Sequence, residues 1–131
     1  MKKIEVVAGI IKYENKILCV QRGESKLQYI SKKFEFPGGK IEQGETKEIA
    51  LIREIQEELD IKITIKNEYM TVEHQYPDFH LVMYTFICNA NSIELKLNEH
   101  ISHEWLYINE LKKLDWAAAD IPIVDKLIAN G

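Results

Sequence analysis

Runs of apolar and β-branched residues recur along the chain and predict five strands, over residues 4–11, 17–20, 61–73, 80–88 and 104–108. Turn signals separate several of these runs. Glu14-Asn15 suits a hairpin turn between the first two, and Pro77 ends the third run before the fourth begins. The pattern therefore predicts more strand than helix.

Two segments have helical signals instead. Thr46 is a good N-cap for a helix over residues 47–59, and Pro122 suits the first turn of a helix over residues 121–130. We expect an α+β fold, with a curved mixed β-sheet sandwiched between these helices. The apolar stripe of the first helix predicts the face that packs on the sheet: Ile49, Ile52, Ile55 and Leu59.

Composition indicates an ordinary globular protein. Of 131 residues, 46% are apolar and 29% are charged, which suits one domain over residues 1–131. No apolar run is long enough for a membrane span, and Met1-Lys2-Lys3 does not open a signal peptide, so we expect a cytoplasmic protein without membrane association. Cys19 and Cys88 stand in apolar runs without a CxxC motif, which favours buried thiols.

Negative charge is concentrated in one segment. The net charge of −4 and the pI near 5.6 argue against a nucleic-acid partner, because such binding needs clustered lysine and arginine. Residues 39–61 contain seven acidic and three basic residues, so this segment alone carries a balance equal to the net charge of the chain.

Three of these acids lie close together on the predicted helix. Glu54, Glu57 and Glu58 are spaced i, i+3, i+4, and the ordinary explanation is a solvated face. However, Glu54 has no base three or four residues away in the helix, and Glu57 has only Arg53. A divalent cation would relieve this crowding. Carboxylate oxygens without nearby His or Cys favour Mg²⁺, with Mn²⁺ as a substitute, and Mg²⁺ commonly shares its coordination with substrate phosphates.

A glycine turn precedes the acidic helix. Pro37-Gly38-Gly39-Lys40 lets the backbone approach a metal or phosphate closely, although a Gly-Gly pair is also common in simple turns.

These residues form a recognisable pattern. Gly39-x5-Glu45-x7-Arg53-Glu54-Ile55-x-Glu57-Glu58-x-Asp60-Ile61 resembles the Nudix box, the signature of hydrolases acting on a nucleoside diphosphate linked to another moiety. The family pattern has glycine at the position of Asp60, where the helix ends in a left-handed residue. Aspartate tolerates that conformation better than most residues, so we expect a modest stability cost and intact chemistry.

The resemblance extends over nearly the whole chain. It is to the MutT-like branch, most closely the CTP pyrophosphohydrolases, and includes residues 1–11, 35–40 and 118–122 and the region of Trp105. It implies that Gly39, Glu45 and Arg53 are structural. It also implies a metal and catalytic set, in which Glu54 or Glu99 is the general base: the Gly38 carbonyl, Glu54, Glu57, Glu58 and Glu99.

Candidate substrate-binding residues each have an alternative role. Arg22 suits a phosphate contact or an exposed strand end, Phe36 a base-stacking wall or the core, and Asp120 base reading or the N-cap of the last helix. Glu35 and Gly38 join this set through the resemblance. If Asp120 reads the base as an ionised acceptor, it suits the exocyclic amine of cytosine.

The resemblance implies a Mg²⁺-dependent nucleoside triphosphate pyrophosphohydrolase. We expect it to cleave CTP, dCTP or modified cytosine nucleotides to a monophosphate and pyrophosphate, as a monomer or homodimer. Alternatives are an 8-oxo-dGTP-type sanitising hydrolase, an ADP-ribose pyrophosphatase, and a Nudix module that senses nucleotides without cleaving them. Such a module should have lost metal carboxylates, whereas Glu54, Glu57 and Glu58 are all present.

Overall fold

The computed structural model describes residues 2–130 and contains one mixed sheet with two α-helices. Two 3₁₀ helices, Ile108–Lys113 and Ala118–Asp120, follow the last strand. No helix within residues 2–130 is long and apolar enough to cross a membrane. The strands and α-helices are β1 (Lys3–Tyr13), β2 (Lys16–Gln21), β3 (Phe34–Glu35), β4 (Gly38–Lys40), α1 (Lys47–Leu59), β5 (Ile63–Gln75), β6 (His80–Ala90), β7 (Ser102–Leu106) and α2 (Ile121–Asn130).

The strand order is β3-β2-β1-β6-β5, with β7 also paired to β2. β1 and β6 run parallel, and the other pairs are antiparallel. β1 changes partner along one edge, pairing with β2 at Tyr13↔Lys16 and with β4 at Val7↔Gly39. This change of partner brings the glycine turn against the middle of β1, beside α1.

Alternation along β1 sends side chains to both faces of the sheet. Val7 and Ile11 pack in the apolar layer that includes α1, whereas Ala8 and Ile10 pack in the layer that includes α2. The two helices thus cover opposite faces, which confirms the expected α+β sandwich. Cys19 and Cys88 are buried in these layers, as predicted.

The predicted packing face of α1 was half correct, because Ile55 and Leu59 face the sheet but Ile49 and Ile52 do not. Ile49 is 56% exposed and Ile52 is 46% exposed, whereas Leu51, Ile55 and Leu59 are fully buried. The buried stripe also includes Ala50, Leu51 and Glu58, so it is rotated relative to the predicted one.

Local signals located both ends of each α-helix, and most of the predicted strand ends lie one or two residues from the observed ones. Glu14 and Asn15 both have positive φ in the two-residue turn between β1 and β2, and the Thr46 hydroxyl accepts a hydrogen bond from Ile49 N at 3.1 Å. The last predicted strand was too long at its end. Residue 108 begins a 3₁₀ helix, where the Glu110 carboxylate accepts a hydrogen bond from Tyr107 N at 3.0 Å.

Asp60 ends α1 in the left-handed conformation, with φ 55°. We expect Asp60→Gly to raise the free energy of unfolding by about 0.5 kcal/mol, because glycine has no Cβ to clash there. Loss of the exposed Gln56–Asp60 side-chain hydrogen bond, 2.7 Å long, limits the gain. Asp60→Ala should be less stable than the wild type. Urea unfolding of the three proteins checks the order, and an alanine variant as stable as the glycine variant would contradict it.

Candidate active site

A cavity of about 810 Å³ opens where α1, β1 and the glycine turn meet. Part of its wall is acidic, formed by Glu54, Glu58 and Glu99. Another part is apolar and includes Phe36 and Met83. A cavity with both kinds of wall suits a ligand that has a charged portion and a flat apolar portion.

Glu58 is the most unusual group in the acidic wall. It is only 4% exposed, and its Oε1 atom has no hydrogen-bond partner within residues 2–130. Burial, a hydrogen bond with Glu54, and the negative charges of Glu99 and Glu35 raise the pKa of Glu58 to about 10. The structure therefore brings three of the predicted ligands together: Glu54, Glu58 and Glu99.

Glu57 is in a different environment. Its carboxylate is exposed and lies 3.1 Å from Arg53 Nη1, in the expected i, i+4 pair. The carbonyl of Glu57, by contrast, accepts a hydrogen bond from the Asn98 side chain at 2.8 Å.

Arg53 is the cation that holds the box together. It makes two hydrogen bonds to Glu45, of 2.6 and 2.8 Å, and one of 2.9 Å to Glu54. It also donates to the Lys40 carbonyl at 3.2 Å. The hydrogen bonds from Arg53 lower the pKa of Glu45 to about 2. Glu54 therefore has a basic partner that the helical spacing did not predict, its immediate neighbour Arg53.

Gly38 and Gly39 lie in strand β4 rather than in the expected turn, and neither position has space for a side chain. A Cβ on Gly39 would collide with the Glu54 carboxylate, and one on Gly38 would collide with the Val7 carbonyl. The pair therefore lets β4 press against both β1 and α1. Close approach of the backbone is the reason for glycine at both positions.

The acidic wall fits a hard divalent cation in its donor chemistry. Within residues 2–130, no three His, Cys, Asp or Glu side chains stand in a ready-made metal-binding arrangement. However, Glu58 has a buried oxygen without a partner beside two other carboxylates, and its burial as an anion demands a compensating positive charge. Oxygen donors of this kind suit Mg²⁺ or Mn²⁺.

Asp120 lies in the cavity wall and is only 4% exposed. Its carboxyl group accepts a hydrogen bond of 3.0 Å from Phe36 N, which connects the 3₁₀ helix before α2 to the segment between β3 and β4. Burial and the charge of Glu35 raise the pKa of Asp120 well above its ordinary range. Phe36 is both buried in the core and part of the wall, stacked on Trp116 at 4.7 Å between ring centroids.

Arg22 and Glu35 also line the cavity and form an ion pair of 3.1 Å. Sequence reasoning missed two buried residues of the same wall, His100 and Tyr76. His100 Nε2 lies 3.0 Å from Glu35 Oε2, and the Tyr76 hydroxyl accepts a hydrogen bond from Ala119 N at 3.0 Å. For His100, its position directly after Glu99 was the available signal.

Comparison with known proteins assigns the family. Residues 6–126 match the NUDIX domain family. The chain belongs to the Nudix hydrolases, in their MutT-like branch. It is 34% identical over 127 residues to the 8-oxo-dGTP diphosphatase of Escherichia coli K12, covering 97% of this chain and 98% of that one.

Other relatives extend the comparison. The CTP pyrophosphohydrolase of Escherichia coli K12 is 35% identical over 131 residues, covering 98% of this chain and 94% of that one. A solution structure described as the MutT protein, family Nudix hydrolase, of methicillin-resistant Staphylococcus aureus 252 superposes with a TM-score of 0.76, at 46% identity and full coverage of both chains. This Nudix hydrolase is thus a pyrophosphohydrolase of nucleotides, in a family that generally uses a divalent metal.

The bidentate pair of Arg53 and Glu45 gives a test of the structural part of the box. We expect Glu45→Gln to lower the melting temperature at neutral pH by several degrees. Because folding lowers the pKa of Glu45, its stabilising effect is present above about pH 4.5 and is lost as pH falls toward about 2. The difference between wild type and variant should shrink across that window.

Glu42→Gln is the matched control, since Glu42 is exposed and lies 3.8 Å from Arg53. Exposed pairs of this kind contribute little to stability. Thermal unfolding followed by circular dichroism measures both variants. Equal effects of the two substitutions would show that Glu45 has no special structural role.

Proposed function

We propose that the chain is a Mg²⁺-dependent nucleoside triphosphate pyrophosphohydrolase. It cleaves ribo- or deoxyribonucleoside triphosphates to a monophosphate and pyrophosphate, with CTP, dCTP or 5-substituted cytosine nucleotides as preferred substrates. The observation that supports the chemistry is the buried, partnerless oxygen of Glu58 beside Glu54 and Glu99. The aromatic part of the same cavity, with Asp120 in its wall, supports a nucleobase.

In this proposal the metal-holding groups are the carboxylates of Glu54, Glu57, Glu58 and Glu99, with the Gly38 carbonyl beside them. A bound Mg²⁺ supplies charge neutralisation of the phosphates and a lowered pKa of the attacking water. Glu57 joins the set by releasing Arg53, which keeps Glu45 and Glu54 as partners. Arg22 is partly exposed beside Glu35 and contacts the phosphates from the other wall.

The geometry favours Glu99 over Glu54 as general base. One Glu54 oxygen is already engaged by Arg53 at 2.9 Å. The Glu99 carboxylate makes no hydrogen bond or ion pair with any residue in the range 2–130. A proton acceptor must be free to bond the water it deprotonates, and Glu99 meets that requirement.

A single experiment tests the proposed activity. A panel of nucleoside triphosphates and ADP-ribose is incubated with the protein and Mg²⁺ in ¹⁸O-labelled water. We expect water to attack the β-phosphorus, so the products are a nucleoside monophosphate and labelled pyrophosphate. Orthophosphate with a nucleoside diphosphate would contradict this reaction. Glu58→Gln should lower kcat about 10³-fold, which excludes a contaminating hydrolase.

The protonation state of Asp120 determines whether its side chain suits a cytosine or a guanine nucleotide. An ionised carboxylate only accepts hydrogen bonds and suits the cytosine amine, whereas a protonated one also donates and can meet the O6 atom of guanine. Phe36 N–H and Arg22 favour the ionised form, and burial opposes it. The raised pKa therefore makes oxidised guanine nucleotides the second candidate, and a related 8-oxo-dGTP diphosphatase is consistent with it.

Asp120→Asn separates these possibilities. If the Asp120 carboxylate accepts a hydrogen bond from cytosine, the ratio of kcat/KM for CTP to kcat/KM for GTP should fall about ten- to a hundredfold in the variant. The reason is that asparagine presents a donor as well as an acceptor. Asp125→Asn, at an exposed position of the following helix α2, is the control and should leave the preference unchanged. An unchanged preference in active Asp120→Asn would assign Asp120 to the structural bond with Phe36.

A further inference from the structure

The segment after β6 returns across the C-terminal end of α1. A helix leaves its last four carbonyl groups without intrahelical partners. Here Lys96 N donates to Leu59 O at 2.9 Å, and Asn98 N donates to Glu58 O at 3.0 Å. The Asn98 side chain adds a hydrogen bond of 2.8 Å to Glu57 O. The segment is thereby attached to Leu59 and to two of the four residues whose side chains are candidate metal ligands, Glu57 and Glu58.

The other end of this segment is attached to the sheet. His100 has a side chain that is only 5% exposed, and its Nε2 atom lies 3.0 Å from Glu35 Oε2. Its Nδ1 atom is buried without a hydrogen-bond partner in the described part of the chain. Ile101 N donates to Gln21 O at 3.0 Å, which continues the attachment into β2.

Glu99 lies between these two attachments. Its own side chain is exposed, and it makes none of the hydrogen bonds that hold its neighbours. Its negative charge nevertheless acts on Glu58. The position of the Glu99 carboxylate therefore depends on the backbone that Asn98 and His100 fix.

We propose that Asn98 and His100 are positioning residues that hold Glu99 toward Glu58, Asn98 through the α1 carbonyl and His100 through Glu35. This inference rests on the proposed function, in which Glu99 belongs to the metal-holding and proton-accepting set. Neither residue contacts substrate in this role. Each acts through Glu99, so each should lose its effect when Glu99 is already disabled.

Two substitutions at residue 100 provide a matched pair. His100→Gln can place an amide nitrogen near the position of Nε2 and keep the bond to Glu35. His100→Asn places its amide near the position of Nδ1, which has no partner. Both variants are neutral amides of similar polarity. We expect the kcat of His100→Gln to stay within about threefold of wild type and that of His100→Asn to fall about ten- to a hundredfold. The KM for the nucleotide should change little in either variant.

The decisive readout is a double-mutant cycle with Glu99→Gln. We expect His100→Asn to lower kcat in the wild-type background but to add less than about twofold in the Glu99→Gln background. If the factors by which the two substitutions lower kcat multiplied in the double variant, the inference would be overturned, because His100 would then act independently of Glu99. Asn98→Ala, at an exposed position that keeps its backbone bond, gives the same cycle if His100→Asn fails to fold.

A binding measurement separates this inference from the proposed function. Mn²⁺ binding to each protein, followed by electron paramagnetic resonance of the free ion, requires no turnover. We expect Glu99→Gln and His100→Asn to weaken Mn²⁺ binding to a similar extent, and His100→Gln to preserve it. Wild-type Mn²⁺ binding without nucleotide hydrolysis would refute the proposed function alone. Equal Mn²⁺ binding by His100→Asn and wild type would refute the positioning role.

Discussion

The burial of one carboxyl group, that of Glu58, organises this molecule. The side chain lies on the sheet-facing side of α1, in a row otherwise occupied by Leu51, Ile55 and Leu59. An ionised carboxylate at such a position is costly unless a positive charge compensates it. No cation of the described chain reaches its free oxygen, and the surrounding groups, Glu54 and Glu99, have the wrong sign. The ionised form of Glu58 is therefore destabilised unless a cation binds at this site.

Other residues of the box stabilise the structure around Glu58. Arg53 compensates Glu45 and Glu54 at its rim, and the glycine turn fits tightly against Glu54. The C-terminal end of α1 is completed by the segment that carries Glu99. The contacts that hold α1 in place therefore also position the carboxylates of the acidic wall.

Local patterns in the sequence carried much of this information. The helix over 47–59, its Thr46 cap and the left-handed Asp60 follow from local signals, and the box spacing identified the acidic cluster. Half of the predicted buried face of α1 was misassigned, because periodicity alone does not reveal that Glu58 rather than Ile49 or Ile52 faces the sheet. His100 and Tyr76 were missed, because their partners, Glu35 and Ala119, lie 65 and 43 residues away in the chain. Contacts of that range depend on the sheet topology.

The pH dependence of stability, with and without Mg²⁺, tests the central claim most directly. Folding raises the pKa of Glu58 from about 4.5 to about 10, so between these values the folded state binds a proton that the unfolded state has released. Without metal, the free energy of unfolding should therefore fall as pH rises, and Glu58→Gln should be more stable than wild type at pH 8. Saturating Mg²⁺ should raise the wild-type melting temperature at pH 8 and leave that of Glu58→Gln nearly unchanged. A wild-type melting temperature that does not respond to Mg²⁺, or a Glu58→Gln protein less stable than the metal-free wild type, would contradict the account.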